Sequence, residues 1–186
     1  MTGWTRRSFL AAGGAVGVAA CTSNPQVAQS PRQRIDGNVD RALAQLYQTV
    51  PGTDQLAAQA EGVLVISPIR RAGFWFSGAY GEGALIIGPA KVDYYSMSAA
   101  GFGFTFGAEE FSQALFFLSP QALADFRRAD GWELGVGGAV AVPRGGAAAG
   151  LDSTRINRPI QEVVFGQRGL LADVSLRGAK YSRIVR

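Results

Sequence analysis

From Val63 onward the sequence is divided by glycines into short apolar segments, and this pattern constrains the fold more than any other feature. The chain contains 25 glycines in 186 residues without a triplet period, so the excess indicates tight turns and close backbone approach rather than a collagen-like helix. The segments between the glycines have the length and the β-branched and aromatic content of strands. We therefore expect many short antiparallel strands in a closed or nearly closed, barrel-like or sandwich-like sheet.

The expected strands lie on either side of one inserted helix. Ser119 and Pro120 predict the start of this helix, because serine caps helix N-termini and proline suits the first position. The helix should end near Ala129, before Gly131. Strands are expected before it near 63–67, 72–79, 83–88, 91–98, 100–107 and 112–118, and after it near 132–142, 147–151, 161–166, 169–176 and 179–185.

Two helices are predicted before the first strand. Apolar residues recur at helical spacing from Ile35 to Val50, in a segment that starts at Gln33 and ends before Pro51. A second, short helix is expected from Asp54 to Glu61. The fold class is thus mainly β, of the α+β type, with one domain at residues 32–186.

Glycine alternates with phenylalanine between residues 101 and 107. In a strand, this alternation places Phe102, Phe104 and Phe106 on one face and leaves the other face almost bare. A bare face allows a helix, a second sheet or an acyl chain to approach closely. Intimate layer packing and a ligand groove are both compatible with this pattern.

The first 20 residues have the organisation of an export leader. Arg6 and Arg7 precede an uncharged, weakly apolar run of 12 residues from Phe9 to Ala20. This run is shorter than the roughly 20 residues that a membrane-spanning helix needs, so it indicates a targeting segment rather than an anchor. The arginine pair resembles the twin-arginine export signal of bacteria.

Cys21 is the only cysteine, and the preceding Val18-Ala19-Ala20 makes it resemble the cysteine of a bacterial lipobox. We therefore expect its thiol to receive a diacylglycerol and Cys21 to become the first residue of the mature protein. Residues 21–31 would then form a tether. Thr22, in place of aspartate, favours the outer membrane over the inner membrane. The alternatives are a leader that is cleaved elsewhere and a buried cysteine that packs as a small apolar residue.

The composition argues against several classes of function. Histidine is absent, so the commonest general base and zinc ligand are missing. Carboxylates are scattered singly, and no glycine motif has the order of a dinucleotide-binding loop. We expect no enzymatic activity, no cofactor and no metal. Loss of Arg6 and Arg7 with the leader reduces the formal net charge from +4 to +2, which is too small to indicate nucleic acid binding.

An ordered series of short motifs resembles one known family. The motifs are E-G-V-L-V at 61–65, A-G-F at 72–74, Y-G-E-G at 80–83, S-Q-A-L-F-F at 112–117, G-W-E at 131–133, F-G-Q-R-G-L at 165–170 and K-Y at 180–181. Together they resemble the SYLF family, also called the Ysc84 actin-binding family, from about Val39 to Ile184. The resemblance implies a lipid-binding domain. Eukaryotic members bind phosphoinositides, partly through an amphipathic N-terminal helix, and some bind or bundle actin, whereas bacterial members look like exported lipoproteins.

The resemblance also implies candidate residues for contact with lipid headgroups. By position, the N-terminal helix of the family corresponds to 33–50, which selects Arg32, Arg34 and Arg41. Arg70 and Arg71 stand where relatives tend to carry a basic residue before the A-G-F motif. The basic helix fits a membrane surface, and it also fits an ordinary helix that packs on the core with solvated charges.

The expected partner is therefore the phospholipid membrane on the periplasmic side of the cell envelope. Actin is not expected as a partner, because an exported bacterial protein does not meet actin in its own cell. The alternative function is a non-catalytic scaffold that docks another envelope protein.

Overall fold

The computed structural model describes residues 29–73, 76–102, 107–129, 131–133, 139–141, 159–169 and 179–186. The predicted export leader with Arg6 and Arg7, the predicted lipidation site Cys21 and most of the predicted tether lie outside the described residues. The side chains of the predicted Phe102, Phe104 and Phe106 ridge also lie outside them, as do the predicted strand at 147–151 and most of the one at 169–176.

Three helices are present in the described part of the chain: α1 (Pro31–Thr49), α2 (Thr53–Gln59) and α3 (Pro120–Arg128). Ser30 caps α1 with a complete capping box, in which its side chain accepts from the Gln33 N–H and the Gln33 side chain accepts from the Ser30 N–H. The Ser119 side chain caps α3 by accepting a hydrogen bond from the Ala122 N–H, and Pro120 occupies the first turn. These local signals confirm the predicted positions of α1 and α3.

The strands form one sheet. They are β1 (Gly62–Gly73), β2 (Phe76–Ile87), β3 (Ala90–Phe102), β4 (Gly107–Phe117), β5 (Trp132–Glu133), β6 (Ala139–Ala141), β7 (Ile160–Gly169) and β8 (Lys180–Ile184). Their order across the sheet is β5-β8-β3-β2-β1-β4-β7-β6. All neighbouring strands are antiparallel except β6 and β7. The sheet is a curled half-barrel, which confirms the predicted mainly β, barrel-like fold.

The first four strands are longer than the predicted segments, and several predicted boundaries were wrong. The predicted strand at 91–98 and the first residues of the one at 100–107 belong to one strand, β3, whereas Gly107 begins β4. β1 continues past Ser67 and Pro68, where a strand end was predicted, and β2 covers Gly78, Gly81 and Gly83 without interruption. Gly83 is required there because a Cβ would lie 1.8 Å from the Val65 backbone oxygen. Within β2, glycine therefore permits close strand contact and does not mark a strand end.

Two β-bulges lie at the same level of the sheet, one on each side of β4. In β1, Ser67 and Pro68 occupy the space of one residue in each neighbouring strand. In β7, Gly166 and Gln167 together face Phe111 of β4. Gly166 has a positive φ of 68°, the left-handed conformation that glycine adopts without strain. Bulges bend the strand that carries them, so β1 and β7 both bend on either side of β4.

The sheet has an apolar cluster on each face. On the face that we call the α1 face, buried side chains of α1 pack on the sheet; the cluster contains Ile35, Val39, Ala42, Leu46, Val65, Ala114, Phe116, Val163 and Phe165. On the opposite, inner face, α3 packs through Leu123 and Phe126. The Phe126 ring lies 4.9 Å from Phe117 of β4 and 6.3 Å from Tyr181 of β8. These strands are four positions apart in the sheet order, so the contacts reflect the curl around the inner face.

The inner face also buries a carboxylate. Glu162 of β7 is 1% exposed, and one of its carboxylate oxygens accepts a hydrogen bond from Gln113 Nε2. The other oxygen has no hydrogen-bond partner within the part of the chain that the structure describes. Burial raises the pKa of Glu162 to about 7, and the bond from Gln113 offsets part of this effect. Burial, with a smaller contribution from the Glu162 charge, raises the pKa of Tyr181 well above 10.0.

Within the described residues, no helix has the length and apolar character needed to cross a bilayer.

Candidate functional site: a basic double cleft under α1

The two bulges create space between α1 and the sheet. Two adjoining clefts lie between α1 and the sheet at the level of the bulges. Both clefts are lined by Asn38 of α1 and by Ser67 and Pro68 of the β1 bulge. The hydroxyls of Ser67 and Ser112 lie 2.9 Å apart at the floor and share a hydrogen bond.

The first cleft, here called the Arg168 cleft, has a volume of about 310 Å³. Gly166 belongs to its floor, and a Cβ on this residue would come within 2.9 Å of Gln45 Nε2. The absence of a side chain at Gly166 therefore leaves this part of the cleft open. The charged and polar side chains that line the Arg168 cleft are Asn38, Arg41, Gln45, Ser67, Glu110, Ser112 and Arg168.

The second cleft, here called the Arg34 cleft, lies on the other side of Asn38 and has a volume of about 350 Å³. Arg34 of α1 and Arg70 of β1 line it, together with Tyr80 and Glu82 of β2. Tyr80 is 53% exposed and donates a hydrogen bond of 2.9 Å to Glu82. Glu82 also forms an ion pair with Arg186, so its charge is already compensated.

The register of β1, β4 and β7 determines which side chains form the floor of the two clefts. Arg70 of β1 lies opposite Glu110 of β4, and Glu110 lies opposite Arg168 of β7. Directly opposed residues point to the same face of a sheet, so this face carries a row in which one glutamate separates two arginines. Arg70 Nε lies 3.2 Å from Glu110 Oε2. This pair is exposed, and its contribution to stability is therefore small.

Some of the arginines that line the clefts form no ion pair with a carboxylate of the described residues. Among the described residues, the side chains of Arg34 and Arg168 have no ion-pair or hydrogen-bond partner. Arg41 donates a hydrogen bond of 2.6 Å to the neutral Asn38 side chain, one helical turn away. Two arginines from α1 and one from β7 therefore present guanidinium groups to the clefts in addition to the paired Arg70. A planar guanidinium binds phosphate through two parallel hydrogen bonds.

Of the five arginines that the sequence predicts for headgroup contact, the structure brings three together. Arg34, Arg41 and Arg70 line the clefts. Arg32 instead donates a 2.8 Å hydrogen bond to the Tyr94 hydroxyl, and its guanidinium lies 5.3 Å from the centre of the Tyr94 ring. Tyr94 in turn donates to Asp36, so Arg32 takes part in fixing the start of α1 on β3.

Arg71 points to the inner face, because side chains alternate along β1 after Ile69. It donates a 3.3 Å hydrogen bond to Ser77 and lies opposite Glu109 of β4. Burial raises the pKa of Glu109, and the Arg71 charge offsets part of that increase. Arg71 therefore lies on the other side of the sheet from the clefts.

Sequence reasoning missed Arg168. The predicted strands ended at 166 and restarted at 169, so Arg168 was assigned to a turn. The F-G-Q-R sequence, with one glycine inside an otherwise continuous strand pattern, is a signal for a bulge. A continuous β7 with a bulge at Gly166 would have placed Arg168 on the α1 face.

The fold and this site define a mainly β half-barrel domain with a basic, helix-covered cleft. Residues 98–184 match the family model Ysc84, described as "Las17-binding protein actin regulator". The resemblance to the Ysc84 (SYLF) family is confirmed over these residues, and the family is lipid- and actin-binding in general. The matched region includes Glu110, Ser112 and Arg168 but not α1. No curated protein matches the chain.

Proposed function

We propose that this protein is a lipid-binding lipoprotein of the bacterial cell envelope. Its acyl chains on Cys21 anchor it, and the α1 face of the domain binds anionic phospholipid headgroups. Arg6 and Arg7 direct export, and the absence of aspartate after Cys21 favours the outer membrane, periplasmic side. The domain acts without enzymatic chemistry.

One observation carries this proposal: the clefts under α1 contain arginines without a carboxylate partner. Among the described residues, Arg34 and Arg168 have none, and the Arg41 guanidinium donates a hydrogen bond to the neutral Asn38 side chain. Like charges held on one face repel each other, so an arrangement of this kind is favourable when anions bind between them. Arginine is suited to phosphate because its donors form a rigid fork.

The anchor and the domain have different tasks. A single acyl chain binds a membrane only marginally, whereas the two or three chains of a lipoprotein anchor it firmly. The domain is therefore not needed for attachment, and headgroup binding serves to select or rearrange lipids. Mass spectrometry of the mature protein tests the anchor, because an acylated Cys21 at the N-terminus is the expected product. An unmodified chain that retains residues 1–20 would contradict it.

The scaffold alternative has less support. A docking surface for another protein is expected to show a large exposed apolar patch. In the described part of the chain, the exposed large apolar side chains are Tyr47, Tyr80, Val92 and Val185. They are distributed over α1, β2, β3 and the C-terminal end, so they indicate no common docking surface.

The proposal is tested by vesicle co-sedimentation of a soluble form that starts at Thr22. We expect binding to phosphatidylglycerol vesicles, no binding to phosphatidylcholine vesicles, and loss of binding as salt increases. The double variant Arg34→Ala/Arg41→Ala should weaken binding about thirtyfold, since each basic residue near an anionic surface contributes about 1 kcal/mol.

Arg127→Ala/Arg128→Ala is the matched control. This double variant removes two positive charges from α3, which packs on the opposite face of the sheet. It should change the affinity for the vesicles less than about threefold, because salt screens charges beyond about 10 Å. Equal losses in both double variants would show that net charge, and not the clefts, drives binding. Equal sedimentation with neutral and anionic vesicles would contradict the electrostatic mechanism altogether.

A further inference from the structure

The two clefts are separate compartments, each with arginines of its own. Asn38 and the Ser67-Pro68 bulge form the ridge between them, since they line both. Arg34 and Arg70 line the Arg34 cleft, and Arg41 and Arg168 line the Arg168 cleft. Each compartment therefore combines one arginine from the helix with one from the sheet.

The distance between the two arginines of α1 is about the same as the distance between the two arginines of the sheet. Arg34 and Arg41 are seven residues apart on α1, which is two helical turns on the same face and about 10 Å along the axis. Arg70 and Arg168 are two strands apart, which is also about 10 Å at the usual spacing between strands. The helix and the sheet thus place two arginine pairs at the same separation, although they are unrelated parts of the chain.

Glu110 reinforces the division. It lies between Arg70 and Arg168 in the row across β1, β4 and β7, lines the Arg168 cleft and forms an ion pair with Arg70, so a negative charge stands between the two arginines of the sheet. A single anion centred over the floor would meet this carboxylate, whereas two anions on either side of it would each meet arginines. The Ser67 and Ser112 hydroxyls and the Asn38 amide supply neutral hydrogen-bonding groups beside the ridge.

We infer that the double cleft binds one headgroup that carries two phosphates joined by a short polar bridge, with one phosphate in each compartment. This inference rests on the proposed function and specifies its ligand class. Among envelope lipids, cardiolipin has this chemistry, because a glycerol links its two phosphates. Binding the second phosphate is intramolecular once the first is held, so a bisphosphate gains affinity that two separate monophosphates lack.

The test compares vesicles with matched phosphate content, in which each cardiolipin replaces two phosphatidylglycerol molecules in phosphatidylcholine. The soluble form that starts at Thr22 should bind the cardiolipin vesicles about tenfold more tightly, which corresponds to about 1.4 kcal/mol. Arg34→Ala and Arg168→Ala each remove one arginine from one compartment. Either variant should abolish this preference, whereas Arg128→Ala on α3 should retain it.

Soluble competitors distinguish the lipid from a free phosphate ester. Displacement from cardiolipin vesicles by fructose bisphosphate, but not by glucose monophosphate at equal phosphate concentration, would show that two linked phosphates suffice without acyl chains. A cardiolipin preference without displacement would assign the site to the membrane lipid. Both outcomes agree with two phosphate subsites.

Equal affinity for the matched vesicles would overturn the inference and leave the proposed function intact. A cardiolipin preference that survives both Arg34→Ala and Arg168→Ala would also overturn it, because the preference would then arise outside the clefts. Absence of binding to either anionic vesicle would instead refute the proposed function.

Discussion

Replacement of Glu162 by glutamine should change how the stability of the domain depends on pH. Glu162 is buried on the inner face with a pKa of about 7, compared with an ordinary value of 4.5. In the folded protein it therefore holds a proton up to about pH 7, whereas in the unfolded chain it loses the proton near pH 4.5. Glutamine keeps the oxygen that accepts from Gln113, nearly preserves the side-chain volume and does not ionise.

The magnitude follows from the difference between the two pKa values. The folded state binds more protons than the unfolded state between pH 4.5 and about 7, so the free energy of unfolding falls as pH rises through this range. The contribution of Glu162 is complete below pH 4.5 and lost above about pH 7. At 1.36 kcal/mol per pH unit, the loss amounts to about 3 kcal/mol. Glu162→Gln should remove this decline.

Urea unfolding at a series of pH values measures the effect as a difference between the wild type and the variant. Other titrating groups contribute to both proteins and cancel in the difference. Glu133→Gln, at an exposed position on β5, is the matched control and should follow the wild type. Parallel stability curves for the wild type and Glu162→Gln between pH 4.5 and 7 would refute the reasoning, because they would mean that Glu162 ionises at the same pH in both states.

Three further substitutions test α1 and the clefts beneath it. Gly166→Ala should destabilise the domain by about 1–2 kcal/mol in urea unfolding, because an L side chain is strained at φ 68° and its Cβ would press on Gln45. Gly37→Ala on α1, where a Cβ meets nothing within 4 Å, should instead stabilise it by up to about 1 kcal/mol, and the opposite order would contradict this account. Glu110→Gln should strengthen binding to phosphatidylglycerol vesicles about fivefold by removing one negative charge from the site, and an unchanged affinity would place the lipid surface elsewhere.

The helices could be predicted from the sequence because their signals are local. Ser119 and Pro120 fix the start of α3 whatever the rest of the chain does, and the spacing of Ile35, Val39 and Leu46 identifies the buried face of α1. The barrel-like, mainly β character followed from the number of strand-like segments. Strand boundaries were less accurate, because the bulge at Ser67-Pro68 looks like a strand end in sequence.

The site could be predicted only in part. Helical spacing relates Arg34 to Arg41, but no local pattern relates Arg70 to Arg168, which are 98 positions apart in the sequence. Their proximity depends on the register of β1 with β4 and of β4 with β7, and both registers are shifted by bulges. Arg32 and Arg71 illustrate the same limit, since Tyr94 and Ser77 determine where their side chains lie.

The capping box at Ser30 has a consequence for how strong headgroup binding has to be. The N-cap residue Ser30 lies nine residues after Cys21, and nine residues span at most about 30 Å when fully extended. With Cys21 acylated, the cationic helix can never diffuse farther than this from the lipid surface. Confinement by a short tether corresponds to an effective ligand concentration in the millimolar range. A site of millimolar intrinsic affinity would then be occupied for much of the time, and it could still release one lipid and take up the next.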